Sequence, residues 1–204
     1  MKKQSVFVEY ILKNKKSFIW IISIFLFGLI LGIFFVNNAN IEKIEEIKEY
    51  VNTLVENIKN ENNINKSELF YQSLSKNITQ ILIIWLLGCT IIGNIFVFVA
   101  ILYRGFSLGY TVSAIMACLG VKKGILFVIS GLVLQNVLYL PAFFMLCQSG
   151  IKLYNGIRKH CINLKVEVIK HTIIMLIAIL IVSISSFIEV YISTNFLIFL
   201  KDFL

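Results

Sequence analysis

The chain has 204 residues, of which 58% are hydrophobic and 15% charged, with mean hydropathy +0.87 and formal net charge +8. Soluble domains carry about 25% charged residues, so the balance points to a membrane protein. One proline and 17 phenylalanines exclude a proline-rich linker or a polar disordered chain, and four cysteines make no disulfide scaffold. The longest polar stretches, 37–76 and 152–171, cannot build a soluble catalytic core of their own. With no aromatic-basic reader motif, the positive charge implies membrane orientation and no nucleic acid.

Residues 1–16 form a basic flank expected in the cytoplasm. The uncharged run 17–36 follows, twenty residues or about 30 Å of helix, enough to cross the hydrocarbon core. No Ala-x-Ala-like site follows it, so it reads as an anchor rather than a cleaved leader. Gly28 and Gly32 make a GxxxG within it, a candidate face for self-association.

Residues 37–76 are expected to form a helical hairpin outside the membrane. Ile41, Ile44, Ile47, Val51, Leu54, Val55 and Ile58 recur every three or four residues, giving an apolar stripe on a helix whose other face is acidic. The stripe can pack back on 67–76, meet a partner protein or lie on the lipid surface; these seven residues are the candidate partner-binding set. Ser67 reads as the N-cap of the next helix.

Four further runs complete an all-α polytopic membrane protein with five transmembrane helices: 77–103, 106–121, 124–151 and 172–200, with 152–171 a cytoplasmic loop. The short third run or the interrupted fourth is alternatively re-entrant. Five lysines against one glutamate in the N-terminal flank, and five lysines against seven glutamates in 37–76, place the N-terminus in the cytoplasm and the C-terminus outside.

Arg104 and Gly105 read as a tight turn between the second and third spans. Gly109 and Ser113 then give the third helix a small-residue face. Pro141 is expected to kink the fourth helix, and Gln135 and Asn136 need partners in a dry setting. Glu189, inside the last run, must be protonated, paired or close to an interface. Gln135, Asn136, Asn94, Arg104 and Tyr191 are its candidate partners. A structural hydrogen bond is the first reading and an ion pathway the second. Cys89, Cys118, Cys147 and Cys161 have no CxxC spacing, and His160 and His171 are not flanked by further ligands, so neither metal nor cofactor is expected. No Walker, HExxH or GxSxG motif occurs, and the chain reads as non-enzymatic.

Tyr103-Arg104-Gly105-Phe106-Ser107-Leu108-Gly109-Tyr110, Leu134-Gln135-Asn136-Val137-Leu138-Tyr139-Leu140-Pro141-Ala142 and Ser186-Phe187-Ile188-Glu189-Val190-Tyr191-Ile192 occur in this order behind the first span and the polar hairpin. In these pieces and in layout, over nearly its full length, the chain resembles the stage II sporulation protein M family of endospore-forming bacteria. Many relatives have a histidine-glycine and an acidic residue near the fourth-span proline, where this chain has Gln135, Asn136 and Tyr139. A proline common after the position of Tyr191 is replaced by Ser193-Thr194. The resemblance implies a scaffold for engulfment in the septal and engulfing mother-cell membrane. It would hold two peptidoglycan-degrading partners, the sporulation proteins D and P, with no catalytic step of its own. Self-association is compatible with that role. A small transporter or channel using Glu189, Arg104 and the Gln135/Asn136/Pro141 break is the alternative, and a membrane-embedded hydrolase the weakest.

Overall fold

A computed structural model describes residues 15–59, 65–90, 93–158 and 163–195, without the side chains of Ile41 and residues 54–59. Lys2, Lys3 and Lys13 of the basic flank, residues 60–64, His160, Cys161 and the tail from 196 lie outside the described residues, as do the side chains of Ile41, Leu54, Val55 and Ile58 from the expected stripe.

The described residues are all-helical. In chain order they form α1 (Lys15–Asn37), α2 (Ile41–Lys59), α3 (Lys66–Gly88), α4 (Gly93–Phe127), a π-helical turn π1 (Val128–Val133), α5 (Leu134–Arg158), α6 (Leu164–Phe187) and a second π-helical turn π2 (Ile188–Ser193). Among the described residues, three segments are long and apolar enough to cross a membrane: Lys15–Asn37, Gly93–Arg158 and Leu164–Ser193.

The 66-residue segment is not one rod. Gly120 interrupts it with φ +76° and ψ 163°, a conformation open essentially to glycine. A Cβ placed on Gly124 would lie 3.0 Å from the Met116 Cα. Residues eight apart on a straight helix are about 12 Å apart, so the chain folds back at Gly120.

Contacts between helices give their directions. Gly28 faces Leu102 and Phe106 while Gly32 faces Phe106 and Tyr110, so α1 runs parallel to the first part of α4. Lys66 reaches Asn195, Asn77 reaches Ser186 and Trp85 reaches Thr172, so α3 opposes α6. Gln135 meets Glu189 and Ser149 meets His171, so α5 also opposes α6. α6 therefore opposes both α3 and α5, while α1 and the first part of α4 run side by side in the same direction. Ile21, Ile81, Ile101, Tyr139, Phe143, Leu146 and Val182 pack between them in the buried core.

The tightest crossing is α1 on α4. A Cβ on Gly28 or Gly32 would strike the carbonyl oxygen of Leu102 or Phe106; one on Gly105 or Gly109 would strike that of Phe25 or Leu29. Two GxxxG faces thus meet within one chain, backbone against backbone. Such contacts gain dispersion energy that larger residues would forfeit. Gly28 and Gly32, expected as a face for self-association, are covered by α4 of the same molecule.

Several boundaries differ from expectation. The second run does not continue to Tyr103: α3 ends at Gly88 and α4 starts at Gly93. The Thr90 hydroxyl donates to the Leu87 carbonyl and accepts from the Gly93 N–H, at 2.9 and 3.0 Å. Arg104 and Gly105 consequently lie inside α4 and form no turn. The cap of α3 is Asn65, whose side chain accepts from the Glu68 N–H at 3.4 Å, in place of Ser67. Pro141 sits inside a continuous α5, and a π turn lies upstream of it, at Val128–Val133. Finally, α2 leans on α4 and π1 instead of on 67–76: Val51 packs with Ile115, Phe127 and Val128, and Ile47 joins them.

Candidate functional site

Around Glu189 and Arg104 the polar residues of the helices gather into two adjoining clusters. Glu189 stands in π2, where an i→i+5 turn replaces regular helix, a geometry frequent at functional sites. Its Oε2 accepts from the Ser73 hydroxyl of α3 and, at 2.6 Å, from the Gln135 amide of α5. Asn77, one turn along α3 from Ser73, donates to Ser73 at 3.3 Å and to Ser186 of α6 at 2.9 Å. Ser185 donates to the Gln135 carbonyl at 2.9 Å. Three helical rods are thereby joined by hydrogen bonds that converge around one carboxyl.

Asn136, next to Gln135, belongs to the second cluster. Its Nδ2 donates to the Leu132 carbonyl at 2.7 Å and its Oδ1 accepts from Arg104 Nη2 at 3.2 Å. The Arg104 guanidinium lies 4.2 Å from the ring centroid of Tyr139, a cation–π contact. The Tyr139 hydroxyl donates to Gln80 Oε1 at 2.6 Å. Arg104 Nε is buried and, among the described residues, has no partner.

Of the residues singled out in the sequence, Glu189 and Gln135 come together, as do Arg104 and Asn136. Tyr191 is not bonded to Glu189: it stacks on Phe187 at 4.6 Å and tilts against Phe70 at 6.2 Å. Ser113 donates to Asn37 at 3.4 Å, tying α4 to the end of α1. The α2 stripe stands apart from both clusters; Val51 is buried, and Ile44 and Ile47 are half-buried.

Sequence reasoning missed Ser73, Asn77 and Gln80. Their i, i+4, i+7 spacing is a polar stripe on one face of α3, a signal that was present. It also missed a polar lock towards the other end of the bundle. His171, 1% exposed, sits 3.3 Å from the Trp85 carbonyl and 3.0 Å from Ser149 Oγ. A carbonyl only accepts, so His171 Nε2 carries the proton and the Ser149 hydroxyl donates to Nδ1. Gly88 leaves room for the ring: a Cβ there would stand 2.6 Å from His171 Nε2 and 3.1 Å from the Gly150 Cα.

With this arrangement in view, the comparison with known proteins decides the family. Stage II sporulation protein M matches the chain over residues 21–194. The chain belongs to that family. The match includes both polar clusters and the double-glycine crossing, so the sporulation family and the apolar helices agree on a membrane protein of sporulation. No curated protein matches the chain, and no solved structure matches it.

Proposed function

We propose that this stage II sporulation protein M family member is a non-enzymatic membrane scaffold of engulfment. In this reading the chain crosses the membrane five times, through α1, α3, α4 up to Gly120, the rod from Val121 through α5, and α6 with π2. α3 is too polar to be recognised by hydropathy, and its polar face is the one that meets Glu189. Lys15, Lys16, Lys152, Arg158 and Lys165 crowd one end of the bundle, while Glu42, Glu45, Glu46 and Glu49 of α2 are exposed at the other. The basic end is cytoplasmic by the positive-inside rule, and α2 then faces the wall compartment. There it meets the peptidoglycan-degrading sporulation proteins D and P, at the septal and engulfing mother-cell membrane.

The observation that carries the scaffold reading is the use of polar groups inside the bundle. Ser73, Asn77, Gln135, Ser186 and Glu189 bond to one another and fix helix against helix. Transport, the alternative, gains no support from a carboxyl whose Oε2 is tied to two donors. Co-purification of sporulation proteins D and P with the full chain from membranes tests the reading. Wild-type chain should hold at least one of them. Replacing the exposed Glu42, Glu45, Glu46 and Glu49 with lysine should reduce capture while the bundle stays folded. Failure of the wild-type chain to hold either protein would refute the scaffold; unchanged capture by the charge-reversed chain would move docking away from α2.

A further inference from the structure

We propose that Arg104 is the floor of a lateral socket that receives a carboxylate from the middle of a partner's transmembrane helix. The inference deepens the scaffold reading and rests on it. Its first ground is the unspent donor capacity of the guanidinium. Arginine offers five N–H donors and no acceptor. Here Nη2 serves Asn136, the ring of Tyr139 lies alongside, and the buried Nε meets no acceptor among the described residues. No carboxylate of the described residues is in ion-pair contact with Arg104; the pair they form is Lys170–Glu167. The Glu189 carboxyl of the adjoining cluster attracts the guanidinium from a distance, but it bonds to Ser73 and Gln135 and does not touch Arg104, so a contact carboxylate has to come from elsewhere.

The second ground is the cleft in which Arg104 stands, about 170 Å³, bounded by Gln80, Ile83, Ala100, Tyr103 and Phe143. Gln80 Oε1 is occupied by the Tyr139 hydroxyl, which leaves its amide N–H as the group to offer. The polar equipment is therefore donors, set in apolar walls. Ile83 is 53% and Tyr103 64% exposed, so the cleft opens sideways, away from the bundle axis.

The third ground is depth. Arg104 is eleven residues into α4, about 16 Å along the helix, halfway through a hydrocarbon core of about 30 Å. Lipid phosphates lie at the borders of that core. An acidic group at the level of Arg104 has to be carried there by a spanning helix, which favours a protein side chain over a headgroup. Such a bond forms in surroundings without competing water, where charge-assisted pairs are strongest.

The test uses the full chain in phosphatidylcholine vesicles with a synthetic leucine-alanine transmembrane peptide bearing one central glutamate, glutamine or leucine. Association is read by energy transfer between labels. The glutamate peptide should bind at least about tenfold more tightly than the leucine peptide. That preference should vanish in Arg104→Gln and also in Ala100→Phe, which fills the cleft and keeps the arginine. Thermal midpoints of both variants establish that they are folded. Equal binding of the peptides by the wild-type chain overturns the socket, as does a preference that survives both substitutions. Displacement of the glutamate peptide by an equal mole fraction of phosphatidylglycerol also overturns it and assigns the cleft to lipid. Capture of sporulation proteins D and P by the wild-type chain separates the two ideas: partners held without any peptide preference leave the scaffold standing and remove the socket, and a peptide preference without partners does the reverse.

Discussion

Gly105 distinguishes a packing glycine from a turn glycine. A Cβ there would strike the Phe25 carbonyl oxygen and lie 3.1 Å from both the Phe25 carbonyl carbon and the Leu29 nitrogen, all backbone of α1. Alanine gains about 1 kcal/mol of helix propensity over glycine, and overpacking costs about 1–3 kcal/mol. Backbone cannot rotate aside, so the upper part of that range applies. Gly105→Ala should cost roughly 1–2 kcal/mol and Gly105→Leu at least about 3 kcal/mol. At about 2–4 °C per kcal/mol for a chain of this size, the leucine variant should lose roughly 6–12 °C of thermal midpoint in detergent. Gly120 supplies the contrast. It has φ +76° and nothing within 4 Å of its would-be Cβ. Alanine, serine and leucine there should each cost about the same 1–3 kcal/mol of backbone strain. A series at Gly105 that is flat with side-chain size, or a Gly105→Leu chain melting with the wild type, would refute the crossing described above.

Glu189→Gln keeps an oxygen acceptor for Ser73 or Gln135 and should cost less than about 1 kcal/mol, whereas Glu189→Leu leaves the Gln135 amide unmatched and should cost about 1–3 kcal/mol; equal midpoints for the two would show that the carboxyl fixes nothing. Tyr139→Phe removes the hydroxyl held by Gln80 but keeps the ring beside Arg104, so the loss should be about 1 kcal/mol by thermal unfolding, and a drop several times larger would contradict that division. Val51→Asp buries a charge against Ile115 and Phe127 and should free α2 from α4, seen as faster proteolysis within 41–59; unchanged cleavage would mean that α2 is held by other contacts.

How much of this was readable beforehand depended on whether a local signal existed. Lys122 and Lys123 marked the reversal that the structure places at Gly120. The reversal between α3 and α4 lies in an uninterrupted apolar run, and its mark was Thr90 three residues before Gly93, a quiet cap among louder hydrophobic residues. Arg104 drew the turn to itself because charge in such a run reads as an interface; Asn136 and Tyr139, on a helix thirty residues away in sequence, accommodate it internally. Glu189 and Gln135 stood out as polar residues among apolar ones. Ser73 and Asn77 do not, because the charged residues up to Lys76 draw the membrane boundary between them and their helical stripe straddles that line. The parallel pairing of Gly28 and Gly32 with Gly105 and Gly109 needed the direction of α4, which a single sequence does not contain.

The two π turns lie against each other, one just upstream of Gln135 and Asn136 and the other holding Glu189. A π turn takes in one residue more than a regular turn, so each acts as a phase adjuster for whatever follows. Excising a single residue from 128–133 would swing Gln135, Asn136 and Tyr139 round the rod by about 100°. Gln135 would leave the carboxyl, and Asn136 and the Tyr139 ring would leave the guanidinium, although none of these three residues had been altered. Chain length between these landmarks is therefore under as tight a constraint as their identities.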